Sequence, residues 1–89
     1  MADIRFLEKQ CKALAQWRRI RLLAFLKKNR KAIVGDIAKE LGCSIQATSQ
    51  HLRLLRNAGI ILDRRQKKTV EYVLAEKMSP IAETMIKGL

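Results

Sequence analysis

Eighty-nine residues suffice for one domain near the lower limit of chains that fold alone. A chain this short buries only about 60% of its unfolded surface, so self-association often completes the core. Apolar residues make up 48% of the sequence, too many for a disordered chain, and nineteen Lys and Arg against eight Asp and Glu give +11, which points to a polyanionic partner: DNA, RNA or an anionic membrane.

No apolar run approaches the roughly 18–20 residues of a membrane span, and the opening Met1-Ala2-Asp3-Ile4-Arg5 lacks the basic-then-apolar order of a secretory signal. A soluble, cytoplasmic chain with no membrane partner is expected. Asp3 to about Gln16 reads as a first helix. Its apolar positions Ile4, Leu7, Cys11 and Leu14 form the narrow seam of a helix that packs on another helix. Trp17 to Lys28 carries Ile20, Leu22, Leu23, Ala24, Phe25 and Leu26 around most of its circumference, the pattern of a central buried helix. Asn29-Arg30-Lys31 is a polar break. Gly35 to Leu41 then predicts a short helix with Ile37, Ala38 and Leu41 inward, ended by Gly42, because glycine accepts the left-handed conformation just past a helix. Ser44 is a natural N-cap for the next helix, Ile45 to about Asn57. Two short helices joined through Gly42-Cys43-Ser44 outline a helix-turn-helix.

Ile45, Thr48, Leu52 and Leu55 share one side of the second of these helices and are expected to face inward. On the opposite side lie Gln46, Ser49, Gln50, Arg53 and Asn57, and no Asp or Glu occurs from Ser44 to Leu62. An ordinary solvated face mixes Glu with Lys. Gln pairs instead with adenine N6 and N7, and Arg with guanine O6 and N7, in the major groove of DNA. The candidate DNA-contacting residues of this helix are Ser44, Gln46, Ala47, Ser49, Gln50 and Arg53.

Ala58-Gly59 closes the helix. Ile60-Ile61-Leu62 is a β-branched apolar run, and Val70, Tyr72 and Leu74 alternate with Thr69, Glu71 and Val73; both patterns predict strands. Between them the basic tip Asp63-Arg64-Arg65-Gln66-Lys67-Lys68 makes a wing, with Arg64, Arg65, Lys67 and Lys68 as candidate phosphate contacts. A tight hairpin favours Gly or Asn where Lys67 and Lys68 stand, so a looser loop is expected there. Ser79-Pro80 opens a last helix, Ser as cap and Pro preorganised at the first helical position. Its strip Met78, Ile81, Met85 and Leu89, flanked by Ala82 and Ile86, joins Ile4, Leu7, Cys11 and Leu14 as the candidate dimer surface. Packing within one chain is the alternative use of both strips.

Little in the sequence suggests catalysis. His51 has no Asp or Glu placed to orient it, and neither a Gly-rich phosphate loop nor a carboxylate pair occurs, so no enzyme is expected. Cys11, Cys43 and His51 fall short of a four-ligand zinc set; no metal and no cofactor are expected. Burial as small apolar residues is the ordinary reading of both cysteines, with a thiol sensor at Cys11 or Cys43, the latter beside a helix start, as the second. Phe6, Trp17, Phe25 and Tyr72 are read as core residues rather than platforms for unpaired bases, which leaves RNA binding unsupported.

Leu14 to Leu26 (LAQWRRIRLLAFL), Asp36 to Gly59 (DIAKELGCSIQATSQHLRLLRNAG) and Arg64 to Leu74 resemble the matching segments of the ArsR-like (arsenic-repressor type) regulators of bacteria and archaea. Ser49, His51, Leu52, Leu55, Ala58 and Gly59 carry the most specific part of that likeness. The resemblance implies a winged helix-turn-helix homodimer joined by its first and last helices, with operator binding by the helix that Ser44 caps. Two departures stand out. Ile33 and Gly35 occupy the places of a Cys-x-Cys pair in the metal-sensing members, and the last helix offers Glu76 and Glu83 without His, so thiolates for soft metals are missing. Gln16-Trp17 replaces an Asp-Pro between the first two helices, which leaves open whether they separate or run on as one.

The expected fold is therefore mainly α with a small two-stranded β wing. It is a single winged helix-turn-helix domain, 1–89, with dimerisation helices at 1–16 and 77–89, the helix-turn-helix at 35–57 and the wing at 60–75. The expected function is a sequence-specific double-stranded DNA-binding transcription regulator. More finely, it is a homodimeric repressor without a metal-sensing site, associated with the nucleoid of a bacterium or archaeon. The alternative, resting on the charge, is a sequence-tolerant architectural DNA-binding protein.

Overall fold

A computed structural model describes residues 3–89. The elements in chain order are α1 (Ile4–Leu14), α2 (Trp17–Asn29), β1 (Lys31–Ile33), α3 (Val34–Leu41), α4 (Ile45–Asn57), β2 (Ile61–Gln66), β3 (Thr69–Leu74) and α5 (Pro80–Lys87). Helix α2 is the centre. Its Leu22, Leu23 and Leu26 are fully enclosed with Ile37 and Leu41 of α3, Leu52 and Leu55 of α4, Ile60, Ile61 of β2, and Ala82 and Ile86 of α5. Each large side chain so removed from water stabilises the fold by about 1.5–3 kcal/mol.

Local chemistry sets where helices stop. α1 and α2 separate at Ala15-Gln16 without a proline: the Gln16 side chain accepts from the backbone N–H of Arg18 at 2.7 Å and of Arg19 at 3.1 Å, acting as the N-cap of α2. Arg19 covers the other side of the break, its Nε donating to the Ala13 carbonyl at 2.6 Å and its Nη2 to the Lys12 carbonyl at 3.2 Å. The Lys12 carbonyl also accepts from the Ala15 N–H at 3.3 Å, so Arg19 supplements the closing turn of α1, whose last carbonyls have few partners of their own. Gly42 takes the left-handed conformation (φ 65°) after α3, and Ser44 Oγ accepts from the Ala47 N–H at 3.0 Å, as the helix-turn-helix reading requires. Ser79 caps α5 in the same way through the Ala82 N–H at 3.2 Å.

The sheet departs from expectation in two places. It has three antiparallel strands in the order β1-β3-β2, with Lys31, Ala32 and Ile33 opposite Val73, Tyr72 and Glu71. Arg30, with φ 70°, turns the chain out of α2 into this short edge. A three-residue strand carries too little alternation to be seen in a sequence. The wing tip is also tighter than the loose loop expected. Gln66 pairs directly with Thr69, leaving Lys67 and Lys68 as a two-residue turn with Lys67 at φ 54°. Thr69 Oγ1 donates to the Gln66 carbonyl at 3.0 Å and offsets part of that conformational cost.

Several apolar assignments are also corrected. Leu14, read as part of a dimer seam, lies in the chain's own core, because α1 packs inward through Gln10, Ala13 and Leu14. Ile45, expected inward, is 52% exposed at the leading turn of α4, where Thr48, Leu52 and Leu55 take the inward side. Phe6 and Trp17, expected in the core, are exposed; the Trp17 ring stacks under the Arg18 guanidinium at 4.5 Å.

Replacing Gly42 or Gly59 with Ala should each cost about 1–2 kcal/mol, since both glycines hold left-handed backbone. The two losses in urea unfolding should be similar, because the new Cβ meets open space at Gly42 and only an ordinary van der Waals contact, Phe6 Cζ at 3.4 Å, at Gly59. No loss at either position would contradict the left-handed backbone there.

Candidate nucleic-acid interface

Helix α4 buries Thr48, Leu52 and Leu55 and turns Gln46, Gln50, Arg53 and Asn57 fully to solvent, with Ser49 half-buried on the flank. Gln46, Arg53 and Asn57 are separated by 100° per residue so as to fall on one line along the helix. That line offers amide donors and acceptors and one guanidinium, with no carboxylate. Ser44 is exposed at the start of the helix, its hydroxyl committed to the cap, and Ala47 is half-buried behind it. Ile45 was not among the expected contacts; it stands exposed beside Gln46 and presents an apolar group of the kind that meets a thymine methyl.

The wing projects from the end of this helix. Arg64, Arg65, Lys67 and Lys68 are all exposed, and successive strand residues point to opposite faces, so Arg64 and Arg65 flank the ribbon rather than share a face. The two carboxylates at its base are occupied: Asp63 holds Arg56 of α4 at 2.7 Å, and Glu71 holds Lys31 of β1 at 3.6 Å. Exposed pairs such as Arg56–Asp63 add little stability, but this one fixes the wing's root to α4. Among the described residues Arg53, Arg64, Arg65, Lys67 and Lys68 form no ion pair. The surface shared by helix and wing is left with unopposed positive charge.

Two residues that the sequence reading passed over hold α4 in place. Gln10 is 1% exposed and donates from Nε2 to the Ala58 carbonyl at 2.9 Å, joining α1 to the end of α4. Its signal lay in a second stripe of α1, Phe6, Gln10, Ala13 and Leu14, where an amide interrupts apolar neighbours. Arg19 reaches from α2 to α4 as well as to the end of α1, its Nη1 standing 3.3 Å from His51 Nδ1.

Of the candidate dimer residues, Ile4, Cys11, Ile81 and Leu89 are exposed, Leu7 is half-buried, and Met78 and Met85 rest partly on the core. Among the described residues no group of three or more His, Cys, Asp or Glu is arranged to hold a metal ion, and no helix is long and apolar enough to cross a membrane. Ile33 ends β1 and Gly35 lies in the first turn of α3.

Residues 18–62 match the family described as bacterial regulatory protein, arsR family. The transcriptional activator HlyU of Vibrio cholerae is 39% identical over 64 residues, which are 72% of this chain and 58% of HlyU. The arsenical resistance operon repressor of Escherichia coli is 35% identical over 75 residues, 84% of this chain and 64% of the repressor. The chain thus spans under two thirds of the length of these relatives. The solved structure of reduced HlyU from Vibrio cholerae matches with a TM-score of 0.78 at 33% identity, over 96% of this chain and 85% of that one. The homodimeric winged helix-turn-helix DNA-binding domain of Mb0332 from Mycobacterium bovis matches with a TM-score of 0.83 at 25% identity, over 96% and 76%.

Burial, and then the charges of Arg19 and Arg18, lower the pKa of His51 from 6.5. The unfolded chain therefore takes up this proton at higher pH than the folded one. The stability that neutral His51 secures is complete above about pH 6.5 and is lost as pH falls through the folded value. The thermal midpoint should drop between about pH 7.5 and pH 5.5, and drop less in His51→Gln, which cannot titrate. Equal drops would place the linkage elsewhere.

Proposed function

The chain belongs to the arsR family of bacterial regulatory proteins, and from that membership we propose that it is a sequence-specific regulator of transcription that binds double-stranded DNA as a homodimer and represses. The carboxylate-free outer face of α4, continuous with a wing of unpaired cations, is the observation that carries this reading. In this reading α4 lies in the major groove, with Gln46, Ser49, Gln50 and Arg53 at base edges and Ser44 and Ala47 close to the backbone. The wing enters the neighbouring groove, where Arg64 and Arg65, on opposite faces, each meet one of the two phosphate strands, and Lys67 and Lys68 meet phosphates at the tip.

The dimer reading is supported by exposed apolar residues of the first and last helices: Ile4 is 79% exposed, Ile81 47% and Leu89 40%, with Cys11 exposed and Leu7 half-buried on α1. Soluble chains seldom leave such patches bare, and Mb0332 of Mycobacterium bovis is homodimeric. Two-fold symmetry then sets the α4 helices about 34 Å apart, on an inverted repeat. As for the sense of regulation, the Escherichia coli relative is a repressor and the Vibrio cholerae one an activator. Repression asks only that an operator be occupied, which suits a chain whose surface is divided between DNA and a second copy. With Ile33 and Gly35 in place of thiolates, the signal that releases it is not a soft metal bound there.

Anisotropy near 0.15 M salt should show at least about a thousandfold preference for an operator selected from random duplexes over scrambled DNA. Gln50→Ala should erode that preference. Lys67→Ala should weaken binding to all sequences alike and reduce the salt slope by about 1. Equal binding to operator and scrambled DNA would instead favour the sequence-tolerant architectural reading, which the charge of +11 supports.

In sedimentation the chain should run as a dimer, and Ile4→Asp with Ile81→Asp should give a folded monomer. A native chain that stays monomeric at working concentrations would remove the symmetric arrangement.

A further inference from the structure

Helix α4 is flanked on two sides. Residues step by about 100° around a helix, which puts Arg56 and His51 on opposite flanks of the outward line Gln46, Arg53 and Asn57. Arg56 ties the first flank to the wing through Asp63 at 2.7 Å. The second flank faces α1 and α2. There Arg19 Nη1 stands 3.3 Å from His51 Nδ1, and an open groove separates Leu54 and Asn57 of α4 from Lys9, Lys12 and Ala13 of α1. Cations border this side. Lys9 is exposed and Arg18 half-buried, and neither forms an ion pair among the described residues. Lys12 is held only weakly, by Glu8 at 3.8 Å with both side chains in solvent. The Arg18 guanidinium lies over the Trp17 ring at 4.5 Å, and its charge is felt on α4, where it helps to lower the pKa of His51. Stacking restricts the rotamers of Arg18 without using its N–H donors. Its Nε is enclosed, so the two Nη groups are the ones that can meet an anion.

We infer that Arg18 and Lys9 form a second phosphate-binding flank, which meets the DNA backbone on the side of α4 away from the wing. The inference rests on the reading that α4 lies in the major groove. A helix is about 10–12 Å across and that groove about 12 Å wide. Whatever borders the seated helix on either side therefore comes against a phosphate strand. The wing brings cations to one side, and Arg18 and Lys9 bring them to the other. Contacts of this kind fix the register and tilt of the helix without reading sequence themselves. Arginine suits the role, because its planar fork matches phosphate oxygens. Trp17, which carries the Arg18 guanidinium on its ring and is itself 56% exposed, lies at the edge of the same contact.

Trp17 is the only tryptophan, so its emission reports on this flank in the native chain. With anisotropy confirming saturation by duplex, acrylamide quenching of Trp17 should fall by about half, as the backbone covers one side of the ring. In salt titrations, Lys9→Gln and Arg18→Gln should each lower the slope of log K against log salt by about 0.9, and so weaken binding about fivefold at 0.15 M. These reductions should add to that of Lys67→Ala, as contacts to separate phosphates do. Lys28→Gln, about 15 Å from Arg18 at the far end of α2, changes the net charge equally and should move the slope by less than about 0.3. Unchanged quenching of Trp17 in the bound protein overturns the inference. So does a slope that Lys9→Gln and Arg18→Gln lower no more than Lys28→Gln. Both measurements are made on operator and on scrambled duplex. Equal affinity for the two, with protection of Trp17 and the slope changes intact, would support this flank while removing the sequence-specific reading. A retained operator preference without them would do the reverse.

Discussion

The buried amide of Gln10 stands where α1 meets the end of α4, donating to the Ala58 carbonyl at 2.9 Å. A helix end leaves its last carbonyls without partners, and this one is closed to water, so losing the bond would strand it at a cost of about 1–3 kcal/mol. The same bond fixes how α1 lies across α4. Arg19 makes the second tie, from the carbonyls of Lys12 and Ala13 to the ring of His51. One attachment joins α1 directly to the end of α4, and the other runs through Arg19 of α2. The outer faces of the two helices hold a set relation, which any symmetric assembly built on α1 would pass to both copies of α4.

Charge is arranged on the same economy. The chain carries +11, yet carboxylates do occur around the wing, where they would blunt its field. Asp63 and Glu71 are each held by a cation, Arg56 and Lys31, at the base of the sheet. The pairs are too exposed to matter greatly for stability. Their effect is positional: the wing root is tied to α4 and to β1, and the remaining cations stand toward the tip and along α4. A polyanion approaching this side meets a field of one sign.

Much of this was legible in the residues. The helix-turn-helix follows from Ile37, Ala38 and Leu41 at helical spacing, from Gly42 with its left-handed backbone, and from the Ser44 cap; Ile45–Asn57 ends where the pattern ends. The polar face of α4 was visible because its inward face is marked by Thr48, Leu52 and Leu55. What the sequence obscured is equally physical. β1 is too short to show a period. The Lys67 turn adopts positive φ without glycine, supported by a Thr69 hydrogen bond that no local pattern announces. Two apolar stripes run along α1, and only the fold decides that Phe6, Gln10, Ala13 and Leu14 face this chain while Ile4 and Cys11 face away. Gln10 and Arg19 went unnoticed for the same reason: each is a polar residue whose role is defined by a carbonyl reached through folding.

The break between α1 and α2 shows how such a chain replaces one device with another. A proline would end α1 by geometry alone. Here Gln16 does so by capping α2 with its side chain, and Arg19 completes the junction by taking up the carbonyls of α1. The consequence reaches beyond the break. A proline junction would make no demand on α4, whereas Arg19 also touches His51 of that helix, so the end of α1, the start of α2 and the middle of α4 share one guanidinium. Helices α1 to α5 all contribute residues to one core. Beyond that core, α4 is tied by Arg19 on one side and, on the other, by Gln10, whose amide is closed off from solvent.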